Sequence, residues 1–140
     1  MYLDTSALVA LVVNEPRSTA LAAWYTRARG DLVSAVWCVT EFASALGINQ
    51  HTGQRDQEQA RSASQNFERL AANDLRLLAL DPAHFHRAAT LALDASLALP
   101  AGDALHLACA ERAGATSIST LDEFMVRNAL RLKIKPVPFD

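Results

Sequence analysis

The sequence predicts an α/β fold, a central parallel sheet of four to five strands with helices on both faces. Short apolar runs alternate with helical patterns in the order β-α-α-β-α-α-β-α-α-β-α-β. Strands separated by helices pair in parallel and are covered by those helices. Hydrophobic residues make up 51% of the 140 residues, which suits one core and a single domain, 1–140. Two of the apolar runs end directly in an aspartate, Asp4 and Asp122. Ligands of open parallel sheets bind beyond the carboxyl ends of the strands.

The elements follow in chain order. Residues 1–4 form a strand that ends at Asp4, and residues 6–13 a short helix closed by Asn14-Glu15-Pro16. Pro16 suits the first turn of a second helix reaching Arg29, and Gly30 stops it. Residues 31–35 read as the second strand. A helix over 36–51 carries Val39, Phe42, Ala43 and Leu46 at helical spacing. Residues 55–72 are polar, with Phe67 and Leu70 as sparse apolar contacts, and predict a more exposed helix. The third strand is 75–80. Asp81-Pro82 opens a helix to Leu97, with Asp94 in its middle. Leu99-Pro100-Ala101-Gly102 is a loop, and an almost wholly apolar helix opens at Asp103 and runs to Ala113. Residues 116–120 form the fourth strand, and 122–132 the last helix. Residues 134–139 form an edge strand, because Pro136 and Pro138 are tolerated only at an edge.

Several function classes are excluded. No apolar run approaches the roughly 18 residues of a membrane span. Cys38 and Cys109 lie far apart, and the N-terminus lacks a basic leader, so reduced thiols and a cytoplasmic location are expected. No glycine-rich loop follows the first strand, which rules out a dinucleotide site.

Four acids stand out by position. Asp4 and Asp122 follow strands, Asp103 opens a buried helix, and Glu41 sits inside an apolar one. Each aspartate alone could be a helix cap. Glu41 is harder to place, since a carboxylate in an apolar interior needs a partner. If the four meet, each pair at 4 Å repels by about 4 kcal/mol at an effective dielectric of 20. Such a group calls for a cation, and oxygen-only ligands suit Mg²⁺ or Mn²⁺ rather than zinc.

Asp4-Thr5-Ser6-Ala7-Leu8, Thr40-Glu41-Phe42-Ala43-Ser44-Ala45-Leu46, Gly102-Asp103-Ala104-Leu105-His106-Leu107-Ala108 and Ser119-Thr120-Leu121-Asp122-Glu123-Phe124 strongly resemble the PIN domain. Within it they look like toxins of the VapC type, the ribonuclease half of type II toxin-antitoxin pairs. The resemblance implies a three-layer α/β/α sandwich. It implies that Asp4, Glu41, Asp103 and Asp122 are catalytic and hold Mg²⁺, with Mn²⁺ as an alternative. It maps hydroxyls that hold a carboxylate or a water of the site to Ser6 and Thr120. It implies hydrolysis of RNA by metal-activated water, leaving a 5′-phosphate and a 3′-hydroxyl. A cognate antitoxin and a homodimer are the implied partners, with residues 55–72 and the third helix forming part of the antitoxin groove. An antitoxin arginine against the carboxylates would supply the missing positive charge. Gly102 departs from the family, where a larger residue is common before the aspartate.

The remaining charge suits a polyanionic substrate. The 15 acids less the four candidates leave 11 against 13 bases, a remainder of +2. Arg17, Arg127 and Arg131 are the candidate RNA contacts, with Lys133 and Lys135 nearby. Residues 88–99 are unusually apolar, with Asp94 their only charge, and suit a dimer surface or core. His106 lies one turn after Asp103 and reads as a packed histidine, while His84 and His86 read as surface. Trp24, Tyr25 and Trp37 read as core or interface, Cys109 as a small core residue and Glu123 as a solvated first-turn acid. Two other functions compete. A haloacid-dehalogenase-type phosphatase needs an aspartate where Ser6 stands. A catalytically silent PIN-like module that binds RNA or protein gains nothing from assembled anions facing a polyanion.

Overall fold

A computed structural model describes residues 1–13, 17–28 and 30–138. The elements are β1 (Tyr2–Leu3), α1 (Thr5–Val12), α2 (Ser18–Arg27), β2 (Leu32–Ala35), α3 (Trp37–His51), α4 (Gln57–Asn73), β3 (Leu75–Leu78), α5 (Pro82–Leu93), α6 (Ala101–Arg112), β4 (Ser117–Ser119), α7 (Glu123–Arg131) and β5 (Lys135–Pro136). The strands form one five-stranded sheet of order β3-β2-β1-β4-β5, and every pairing is parallel. The expected alternation and the edge position of the last strand are both present. The expectations for Asn14-Glu15-Pro16, Arg29 and Phe139 lie outside the described residues.

The pleat sends successive side chains of each strand to opposite faces. Tyr2, Val33 and Ile118 pack against the apolar faces of α5, α6 and α7. Leu3 and Leu32 pack on the other side with α1, α3 and α4, where Phe42 stacks on Phe67 at 4.2 Å between ring centroids. The helix over Ala101–Arg112 is buried almost all round, which is why its sequence is so uniformly apolar. Arg87 reaches from α5 to α6, donating from Nε and Nη2 to the two carboxylate oxygens of Glu111 at 2.7 and 2.9 Å. The more exposed helix expected at 55–72 is α4, which buries only Ala60, Ala63 and Phe67.

Several boundaries differ from the sequence reading, two of them through a cap. The fifth helix stops at Leu93 rather than Leu97. Asp94 is its C-cap, not a mid-helix residue, and accepts from the Ser96 N–H at 2.9 Å. The sixth helix begins at Ala101, with Pro100 as its N-cap, so Asp103 lies inside the first turn and caps nothing. The third strand ends at Leu78. His84 is buried rather than on the surface. It completes a capping box with Asp81, whose N–H donates to its Nδ1 at 3.1 Å. His86 is exposed, as expected. Within 88–99, Ala88, Leu91 and Leu99 are core, while Leu93 is 86% exposed.

Candidate metal and nuclease site

The sheet order places the site. The chain runs outward from β1 to β2 and β3, then returns to lay β4 on the other side of β1. The carboxyl ends of β1 and β4 therefore flank the crevice where strand order reverses. Asp4 follows the first of these strands and Asp122 lies three residues beyond the second. Their registers are tied by Leu3 opposite Ser119 and by the Asp4 N–H on the Ser119 carbonyl at 3.1 Å.

Asp4 is buried and held on both oxygens. Oδ1 accepts from Ser6 Oγ at 2.7 Å and from the Ala7 N–H at 3.0 Å, which makes Asp4 the N-cap of α1. Oδ2 accepts from Thr120 Oγ1. Thr120 in turn accepts from the Asp122 N–H at 3.1 Å, and Ser6 from the Leu121 N–H at 2.8 Å. Ser6 and Thr120, both singled out by sequence, thus stitch the two strand ends together. Burial raises the Asp4 carboxyl above its usual range despite these bonds and the nearby His106.

Asp122 is the N-cap of α7, with Oδ1 accepting from the Met125 N–H at 2.9 Å. Asp103 has no hydrogen bond of this kind to lean on. Burial first, then the charges of Asp122 and Asp4 and, more weakly, of Glu41, push its carboxyl up to about 6 against the relief offered by His106. Asp103 is therefore where the fields of the other three candidate acids meet.

Glu41 reaches the site from α3 and is held through one oxygen. Its Oε2 accepts from Thr5 Oγ1 at 2.5 Å and from His106 Nε2 at 2.6 Å. Burial pushes its carboxyl up. The hydrogen bonds from His106 and Thr5, with the Trp37 indole leaning toward it, outweigh that and hold it below the ordinary range. The Trp37 Nε1 itself is buried without reaching hydrogen-bond geometry. Gly102 explains how the carboxylate fits. A Cβ on Gly102 would lie 2.6 Å from Glu41 Oε1 and 3.5 Å from Trp37 Nε1.

Thr5 and the role of His106 were missed in the sequence. Thr5 was overshadowed by Ser6, its neighbour. His106 is packed, as expected, but its Nε2 is a partner of Glu41. The clue was its place one turn from Asp103, facing the same way as the acid that lacked a partner.

The donor set fits a hard divalent cation in kind: carboxylates only, with an excess of negative charge around Asp103. Among the described residues no group of three or more His, Cys, Asp or Glu side chains is already arranged to hold a metal ion. Mg²⁺ commonly takes only one or two carboxylates, completing its shell with water and substrate phosphate.

The basic candidates lie around α7 and at the start of α2. Arg127 is exposed, its guanidinium 4.5 Å above the Phe124 ring. Arg131 donates from Nη1 to the Ser96 carbonyl at 2.9 Å. Arg17, Lys133 and Lys135 are exposed. No described helix is long and apolar enough to cross a membrane.

No curated protein matches the chain. Among solved structures it is similar to one described as Mycobacterium tuberculosis VapC20, a Sarcin-Ricin loop cleaving toxin. The TM-score is 0.71 at 13% identity, over 90% of this chain and 93% of that one. It is also similar to FitAcB from Neisseria gonorrhoeae, with a TM-score of 0.70 at 16% identity over 98% and 96% of the two chains. These likenesses concern the fold. The family model described as PIN domain matches residues 1–129, and that span takes in Asp4, Glu41, Asp103 and Asp122: the chain belongs to the PIN domain family.

Proposed function

We propose that the protein is a metal-dependent endoribonuclease, the toxin of a toxin-antitoxin pair. The observation that carries this is the meeting at Asp103, a partly buried carboxyl, of the charges of three other acids from the end of β1, from α3 and from beyond β4; burial first, and then those charges, raise it to about 6. A fold that only needed stability gains nothing from such repulsion. The cited similarity to a structure described as a Sarcin-Ricin loop cleaving toxin supports the same reading.

The chain's residues divide the work. Asp103, Asp4, Asp122 and Glu41 would hold Mg²⁺ or Mn²⁺. The cation would supply charge neutralisation and Lewis acidity at the scissile phosphate. Ser6 and Thr120 fix the direction of the Asp4 carboxylate, and Thr5 and His106 fix that of Glu41. Arg17, Arg127 and Arg131 would contact the RNA backbone. Cleavage would leave a 5′-phosphate and a 3′-hydroxyl.

The partners follow the same reading. A cognate antitoxin would use the grooves beside α4. One of about 270 Å³ is lined by Leu11, Val12, Ala22, Tyr25 and Leu70, between α1, α2 and α4. A homodimer and a cytoplasmic location complete the proposal.

The test is cleavage of end-labelled RNA with Mg²⁺ or Mn²⁺ and with chelator. Activity should require the metal and vanish in Asp4→Asn and Asp103→Asn. Undiminished cleavage in either variant overturns the reading. Tight RNA binding with no cleavage under any metal replaces it with a silent RNA-binding module.

A further inference from the structure

Glu41 sits in a socket built from three elements. Thr5 comes from α1, Trp37 from α3, and His106 with Gly102 from α6. His106 is itself anchored from behind. The Ala35 N–H donates to the Tyr2 hydroxyl at 3.2 Å, and the hydroxyl lies 2.7 Å from His106 Nδ1. The two rings meet edge to face, with centroids 5.8 Å apart.

The Glu41 carboxylate can only accept, so Nε2, the nitrogen that faces it, carries a hydrogen. In a neutral ring that leaves Nδ1 as the acceptor, and Tyr2 donates to it. In a charged ring, both nitrogens carry hydrogens and Tyr2 accepts. Either way Nε2–H points at Glu41 Oε2. With Oε2 taken by His106 and Thr5, Oε1 is the oxygen with acceptor capacity left.

Core filling alone does not account for these features. A leucine would occupy the site of His106, which is 2% exposed, without the cost of burying two polar nitrogens. An alanine in place of Gly102 would favour the helix, but its Cβ would strike Glu41. Both residues instead keep one carboxylate in one orientation. A ligand already ordered loses less freedom when it takes up its ion.

We infer that His106, braced by Tyr2, is a positioning residue that holds Glu41 ready for the cation. The inference deepens the proposed function and rests on it. Groups that orient a ligating side chain typically change metal affinity 10- to 100-fold when removed.

The test is Mn²⁺ binding by isothermal titration calorimetry, with melting curves for each protein. His106→Leu should bind Mn²⁺ about 10- to 100-fold more weakly. His106→Gln, which can still present an N–H to Glu41, should recover most of the affinity. Tyr2→Phe, which removes only the brace, should fall between wild type and His106→Leu. In cleavage assays the loss should appear in kcat, with KM for RNA little changed. His106→Leu and Tyr2→Phe binding Mn²⁺ within about twofold of wild type, a change smaller than any orienting group is expected to give, overturns the inference. A fall in melting temperature alone does the same. If His106→Leu does not fold, Tyr2→Phe decides by the same criterion. Wild type that binds no Mn²⁺ overturns the cation reading together with this inference. Wild type that binds it while both variants match overturns this inference only.

Discussion

Thr120, just past β4, donates its hydroxyl hydrogen to the Asp4 carboxylate just past β1, across 116 positions of sequence. That bond makes the two strand ends one structural unit. Asp4 is buried, so losing the donor would leave a carboxylate oxygen without compensation. Thr120→Val should cost about 1–3 kcal/mol of stability. It should also weaken cleavage by misdirecting Asp4. Urea unfolding and cleavage rates on the same preparation check both.

Asp103 gives a prediction in which stability and activity move in opposite directions. Its carboxyl is raised from the usual range to about 6 in the folded chain. The folded state therefore holds the proton more tightly than the unfolded state, and stability falls as pH rises from about 4 through 6. Asp103→Asn removes that cost. In metal-free buffer the variant should melt about 3–5 °C higher than wild type at pH 7.5, with the gap closing toward pH 4. It should not cleave RNA at either pH. Metal affinity of the wild type should fall as pH drops through about 6, where proton and cation compete for Asp103.

Gly102→Ala separates the Glu41 socket from the fold. The clash would be with Glu41 Oε1, at the end of a side chain held by Thr5 and His106, and the strain on those bonds offsets the helix preference of alanine. The melting temperature should stay close to that of wild type. Metal-supported cleavage should fall about tenfold, the lower end of what misplacing an oriented ligand costs. Loss of stability with full activity would contradict the placement of Glu41.

Asp122 carries two duties that substitution can split. Asparagine also caps helices well, so Asp122→Asn should stay within about 0.5 kcal/mol of wild type, while Asp122→Ala loses about 1 kcal/mol. Both should lose cleavage, because neither carries the charge. Denaturation curves set beside cleavage rates distinguish the cap from the acid.

Much of this was legible in the chain. Strand ends were readable because apolar runs stop abruptly at Asp4 and just before Asp122, and the parallel sheet followed from alternation. Glu41 drew notice because a carboxylate in an apolar helix needs a partner. The partner was not legible, since pairing Glu41 with His106 takes contact across 65 positions. Helix boundaries failed where caps compete with apolarity. The run from Leu91 to Leu99 continues a helical pattern, yet Asp94 turns the chain by capping onto Ser96. Pro100 starts α6 earlier than an aspartate cap would, which frees the Asp103 side chain for the site. Asp81 was read as a helix start, but the reciprocal bond from its N–H to His84 was visible only in three dimensions.

The most direct measurement is the anomalous difference map of a crystal soaked in Mn²⁺. The account predicts a peak within coordination distance of Asp103 and at least one of Asp4, Asp122 and Glu41, and its disappearance in Asp103→Asn. A fully soaked crystal with no peak at this mouth, or a peak that survives Asp103→Asn unchanged, would contradict it.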